Sequence, residues 1–136
     1  MLMNDVGVKK RILVVDDDET QLSFAEAVLN NEYEVITEAS GKAAMERLSR
    51  GLVPDLMLLD VLMPEMDGFE TYAKVRAMNA MSNIPVVFLT AVNSSEEIRK
   101  ALSAGAADYI TKPYVMENFT NRIKNAIRMY EYKRRK

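Results

Sequence analysis

The chain of 136 residues contains no cysteine and no histidine. Without cysteine there is no disulfide framework and no thiolate metal site. Without histidine the chain lacks the commonest transition-metal ligand, the commonest general base and any phosphohistidine role of its own. A metal would have to sit on oxygens, which favours magnesium, calcium or manganese. An excess of one charge is missing as well: 18 Lys and Arg stand against 20 Asp and Glu, a net charge of −2. That balance gives no general reason to expect direct binding to nucleic acid or to an anionic membrane. No apolar run approaches the ~20 residues of a membrane span. In the opening MLMNDVGVKK the lysines follow the apolar residues and no long apolar core comes next. No signal-peptide pattern is read there, and a cytoplasmic protein is the default expectation. What is present suits one folded domain, with 49% hydrophobic and 28% charged residues.

Short apolar runs alternate with helix-period stretches. The runs are ILVV (12–15), YEVIT (33–37), LMLL (56–59), IPVVFL (84–89) and DYI (108–110). Four of the five are nearly continuously apolar or β-branched, as strands covered on both faces should be. YEVIT alternates and is the expected sheet edge. The helical stripes between them are Leu22, Ala25, Val28 and Leu29; Ala44, Met45 and Leu48; Phe69, Tyr72 and Ala73; Ile98, Ala101 and Leu102; and Phe119, Ile123, Ala126, Ile127 and Tyr130. Gly51 and Gly105 stop the second and fourth, Asp67-Gly68 opens the third, and Ser94-Ser95-Glu96-Glu97 caps the fourth. Five βα units in series predict an α/β fold, a doubly wound parallel sheet with helices on both faces. Ligands then sit outside the carboxyl ends of the strands.

The strong polar candidates all fall at that edge. Strand one ends in Asp16-Asp17-Asp18, strand three in Asp60 and strand four in Thr90; strand five is followed by Lys112-Pro113. Asp17 and Asp60 can share a hard cation. Thr90 can donate to an anion and Lys112 can pair with one. A carboxylate beside a cation, a hydroxyl and an ammonium is a phosphoryl acceptor site. The stretch LVVDDDET leaves two chemistries open: Asp16 as nucleophile in an Asp-x-Asp-x-Thr pattern, or an Asp16-Asp17 pair holding a metal for a nucleophile elsewhere.

VVDDD, LLDVLMPEMDGFE (58–70), FLTA (88–91) and GAADYITKP (105–113) together closely resemble the receiver domain of two-component response regulators. The resemblance runs from about Lys10 to Tyr130, and four motifs in order make it specific. It implies a flavodoxin-like five-stranded parallel sheet of order 2-1-3-4-5. It implies three segments: a flexible N-terminal stretch (1–9), the receiver domain (10–130) and a basic C-terminal tail or start of a linker (131–136). By the resemblance Asp60 is the phosphoacceptor, with Asp16 and Asp17 forming the acidic pocket. Mg²⁺ is expected on Asp17, Asp60 and the backbone carbonyl of Leu62, with Asp16 acting mainly through water. Thr90 and Lys112 are expected to hold the phosphoryl oxygens, and Tyr109 matches the switch aromatic. The family often has a cis peptide at the position of Lys112-Pro113. The implied protein is a switch rather than an enzyme, catalysing only its own phosphoryl transfer and slow loss. Its implied donor is a sensor histidine kinase or phosphotransfer protein. Phosphorylation would change the face made by helix four, strand five and helix five, and so control a fused or separate output domain. A phosphorylation-dependent homodimer is also compatible with the resemblance.

Three departures stand out. Leu62 and Val92, two residues beyond the acceptor and the switch threonine, are apolar where relatives often carry polar side chains that tune hydrolysis. A long-lived phosphoryl group is the expectation. Ala107 replaces an acid common in the transcription-factor branch, which puts that branch's dimer salt bridges in doubt, although Asp108 and Arg122 can still pair. The competing reading is a haloacid-dehalogenase-type phosphatase with Asp16 as nucleophile and Asp18 as general acid. It needs a late acidic pair, whereas after Lys112 only Glu117 and Glu131 remain, and it leaves Asp60 unexplained. Blander roles exist for each residue alone: one of the three N-terminal acids as a helix cap, Lys112 as a solvated charge, Tyr109 as core, the basic tail as a helix end.

Overall fold

The computed structural model describes residues 8–91 and 95–135, with side chains to Tyr132. The strands are β1 (Lys10–Val15), β2 (Tyr33–Glu38), β3 (Leu56–Asp60), β4 (Val86–Ala91) and β5 (Asp108–Lys112). The helices are α1 (Glu19–Leu29), α2 (Gly41–Ser49), α3 (Gly68–Ala77), α4 (Ser95–Ser103) and α5 (Met116–Arg135), with a 3₁₀ turn at Asn79–Met81 before β4. All strand pairs are parallel and the order is β2-β1-β3-β4-β5. The alternating YEVIT segment is an edge, as expected. β5 is the other edge, and only Ile110 of its five residues is buried.

Side chains alternate across the sheet, so each strand feeds two cores. Leu13, Val15, Met57, Leu59 and Phe88 pack on α2, α3 and α4 through Ala44, Leu48, Tyr72, Val75 and Ala101. Ile12, Val14, Leu58, Val87 and Leu89 pack on α1 and α5 through Ala25, Leu29, Phe119 and Ile123. Two expected stripe residues lie elsewhere: Ala73 faces solvent, and Leu102 is 47% exposed. On α3 the buried set is Gly68, Thr71, Tyr72 and Val75. Thr71 can serve because its hydroxyl donates to the Asp67 carbonyl, 2.9 Å away. Gly51 and Gly105 carry φ of +114° and +100° after α2 and α4, the left-handed turn that glycine tolerates. The Ser94 cap and Val92 lie outside the described residues. The basic stretch is helical as far as Arg135, and Lys10 pairs with Glu131 across to β1. Among the described residues no helix is long and apolar enough to cross a membrane.

Candidate functional site

Register assembles the site. Val15 of β1 lies level with Leu59 of β3, so Asp16 follows just beyond the strand end, beside Asp60. Asp60 is level with Leu89, which puts Thr90 one residue further out on β4, and Lys112 is level with Ala91. One oxygen from each of Asp16, Asp17 and Asp60 lies within 4.8 Å of the others. Asp16, Asp60 and Thr90 are buried, at 0%, 6% and 3% exposed, whereas Asp17 is open to solvent. Lys112 Nζ donates to Asp16 Oδ2 at 2.8 Å and to Asp60 Oδ1 at 3.1 Å. The Lys112-Pro113 peptide is cis.

The electrostatics follow from that crowding. Burial, then the neighbouring charge of Asp16, pushes the Asp60 carboxyl up to about 7; Lys112 pulls the other way without cancelling the effect. Burial alone would lower the Lys112 ammonium, yet its contacts with Asp16 and Asp60 hold it above its ordinary value. Three carboxylates against one ammonium leave an acidic excess of oxygen donors. That donor set fits a hard divalent cation such as Mg²⁺ and offers nothing to a soft one.

The loops around the site are fixed locally. Asp18 caps α1, accepting from the Thr20 amide at 2.9 Å, and its own amide donates to Asp16 Oδ1 at 3.0 Å. The third acid of the opening run is therefore the cap of α1, the structural role expected for one of the three. Asp67 caps α3 in a reciprocal box with Glu70. Gly68 is required by contact, because a Cβ there would run into the Asp60 carbonyl oxygen and stand 2.9 Å from Val61 Cα. Leu62 leaves the strand with its side chain 68% exposed. Tyr109 is half-buried on β5, with the Arg122 guanidinium 5.3 Å from its ring centre. Arg122 Nη1 also donates to Asp108 Oδ1 at 2.6 Å, so that pair forms within one chain.

Tyr114, unremarked in the sequence, borders the acids. Its ring lies 5.3 Å from Phe24 and 4.6 Å from Phe119. Burial first, then the charges of Asp16, Asp60 and Asp18, hold its phenol well above the usual range. An aromatic two residues after the strand-end lysine was the available signal.

A five-stranded parallel sheet in this order, with acids from β1 and β3 and a lysine from β5 at its carboxyl edge, defines a flavodoxin-like domain built around an anionic, cation-ready site. The chain belongs to the response regulator receiver domain family, whose model matches residues 12–124. It is 44% identical over 104 residues to the response regulator PleD of Caulobacter vibrioides, covering 76% of this chain and 23% of that protein. It is 38% identical over 135 residues to the transcriptional regulatory protein RprY of Bacteroides fragilis, covering 98% of this chain and 56% of that protein. The chain thus spans less than two thirds of the length of these curated relatives. Among solved structures, the Vibrio cholerae chemotaxis protein CheY4 superposes with a TM-score of 0.81 at 28% identity, covering 88% of this chain and 99% of that one.

Proposed function

We propose that this chain is a phospho-accepting switch in which Asp60 takes a phosphoryl group from a sensor histidine kinase or phosphotransfer protein. The observation that carries the reading is the buried Asp60 carboxylate, held through one oxygen by Lys112 and flanked by Asp16 and Asp17. Lys112 engages Oδ1, which leaves Oδ2 to attack phosphorus. The new O–P bond forms as the donor's bond to phosphorus breaks, and the donor keeps that electron pair. Asp16, Asp17, Asp60 and the Leu62 carbonyl would hold Mg²⁺, which supplies electrostatic stabilisation for the transferring group when bound. Lys112 keeps its proton and turns from Asp60 toward a phosphoryl oxygen, while Asp16 retains its side of the ammonium. Thr90, at the end of the neighbouring strand, donates its hydroxyl to another oxygen. The product adds roughly 1.5 to 2 negative charges. Movement of Thr90 then lets Tyr109 repack and changes the α4–β5–α5 face, which acts on an output domain or partner.

The test is phosphorylation by acetyl phosphate with Mg²⁺, followed by reductive trapping and peptide mass mapping. The expected label is on Asp60 and is absent in Asp60→Asn. A label on Asp16, or steady phosphate release from many small phosphoesters, would overturn the assignment.

A further inference from the structure

α4 is the helix least held by apolar packing. Ala101 is its one fully buried residue among those described, Ile98 is half-buried, and Leu102 is 47% exposed. Its C-terminal end is held by buried Ala101, by the turn in which the Gly105 and Ala106 amides donate to the Leu102 and Ala101 carbonyls, and by a polar contact from α3. The Tyr72 hydroxyl, on α3, donates to the Ala104 carbonyl at 3.0 Å, directly after the last residue of α4. A helix leaves its last carbonyls without partners inside the helix, and this hydroxyl supplies one. The same oxygen accepts from Arg76 Nε at 3.2 Å, and Arg76 Nη1 donates to the Met81 carbonyl at 3.1 Å. The Arg76 guanidinium also lies 4.8 Å from the centre of the Tyr72 ring. Tyr72 is itself fixed: it is 6% exposed and packs 5.4 Å from Phe88, two residues before Thr90 on β4. Gly105 keeps the approach open, since a Cβ there would lie 3.1 Å from the Tyr72 hydroxyl oxygen. At its other end α3 is seated against the acceptor loop through Gly68, whose amide donates to the Val61 carbonyl at 2.8 Å.

We propose that Tyr72 is a positioning residue for the switch: its hydroxyl pins the C-terminal end of α4 to α3 and makes that end a pivot. Movement that starts at Thr90 then becomes a tilt of the N-terminal half of α4 instead of a displacement of the whole helix. The proposal rests on the receiver reading above and adds the hinge of its moving part. The hydroxyl acts together with the turn that follows α4, where the Ala107 amide donates to the Val86 carbonyl of β4 at 2.9 Å. Arg76 sharpens the pin by orienting the hydroxyl toward Ala104.

The test is amide hydrogen exchange of the full chain, before and after phosphorylation by acetyl phosphate with Mg²⁺, in wild type, Tyr72→Phe and Arg76→Lys. In wild type, phosphorylation should change exchange at Glu96–Ile98 and leave Gly105–Ala107 within about twofold of their starting rates. In Tyr72→Phe, which keeps the ring on Phe88, the loss of one hydrogen bond can raise the basal rates, but the further change on phosphorylation should now reach Gly105–Ala107 at about threefold or more beyond that basal rise. Arg76→Lys keeps the hydroxyl and should give a smaller spread, and it stands as the test should Tyr72→Phe not fold. Label on Asp60 should reach the same level in all three proteins. A wild type in which Gly105–Ala107 change as much as Glu96–Ile98 overturns the pivot. So does a variant whose exchange rises equally with and without phosphorylation, because that is a structural role alone. No label on Asp60 in wild type overturns the receiver reading, and the pivot with it.

Discussion

Leu58 and Asp60 stand two positions apart on β3 and are almost equally hidden from water, at 0% and 6% exposed. Their energetics are opposite. Leu58 lies among Val14, Val87, Ile110 and Phe119, and burying such a side chain stabilises the fold by about 1.5 to 3 kcal/mol. Asp60 lies within reach of two other carboxylates, where each close pair repels by roughly 1 to 4 kcal/mol depending on screening. The middles of the strands hold the sheet together, and their carboxyl ends carry groups that strain it. A rigid apolar sheet lets the edge keep like charges a few ångströms apart, which is what an anion-accepting, cation-ready site requires.

The largest test of that contrast is Leu58→Ala. It should destabilise by about 3 to 4 kcal/mol, read as a lower urea midpoint at an unchanged slope. A loss under about 1 kcal/mol would mean that the sheet interior is not the anchor. Lys112→Ala should cost less, about 2 kcal/mol in chelator. It strands Asp16 and Asp60 without their ammonium, but solvent reaches the side chain, which is 21% exposed. Millimolar Mg²⁺ should restore part of that loss. A variant as stable as wild type in chelator would remove Lys112 as the counterweight.

Asp60→Asn should move stability the other way, and only at higher pH. The folded-state value of about 7 lies above the ordinary 3.8, so the folded protein binds the proton more tightly than the unfolded chain. Below about 3.8 both forms are protonated and the carboxyl costs nothing. As pH rises toward 7 the unfolded chain ionises first, and wild type loses stability until the cost is complete above 7. In chelator, Asp60→Asn should therefore match wild type near pH 3.8 and exceed it by about 1 to 2 kcal/mol at pH 8. That is a discounted share of the shift, because Asp17 opens the site to water. A variant less stable than wild type at pH 8 would show that the acid is not strained.

The same contrast decides what could be read before folding. Strand middles were legible because continuous apolar runs declare two-sided burial, and the edge residues were legible because acids, a threonine and a lysine fall together at the ends of four strands. Pairing order and register turned separate residues into one site; the order came with the family resemblance and the register with the structure. Residues acting through one bond left no pattern. Tyr72 looked like core, and its ring is, but the hydroxyl reaches the Ala104 carbonyl across to another helix. Ala73 and Leu102 fitted the helical period and yet face solvent, because Thr71 fills one helix contact and α4 packs thinly.

Leu62 inverts the rule, and it carries the smallest effect. It is an apolar side chain, 68% exposed, at the charged edge where hiding it would stabilise and a polar residue would cost nothing. It can neither donate to nor accept from an attacking water, so the effect to test is on hydrolysis at the acceptor. Replacing it with asparagine should leave the urea midpoint unchanged within about 0.5 kcal/mol, as for other exposed sites. It should shorten the life of the phosphoryl group by about tenfold, or about 1.4 kcal/mol of barrier, by giving water a partner in line with phosphorus. The measurement is the amount of label that can be trapped at Asp60 at successive times after the phosphodonor is removed. A wild-type half-life of seconds, or the same half-life in both proteins, would mean that the leucine does not shield the acceptor and that hydrolysis is governed by the acids and Lys112 alone.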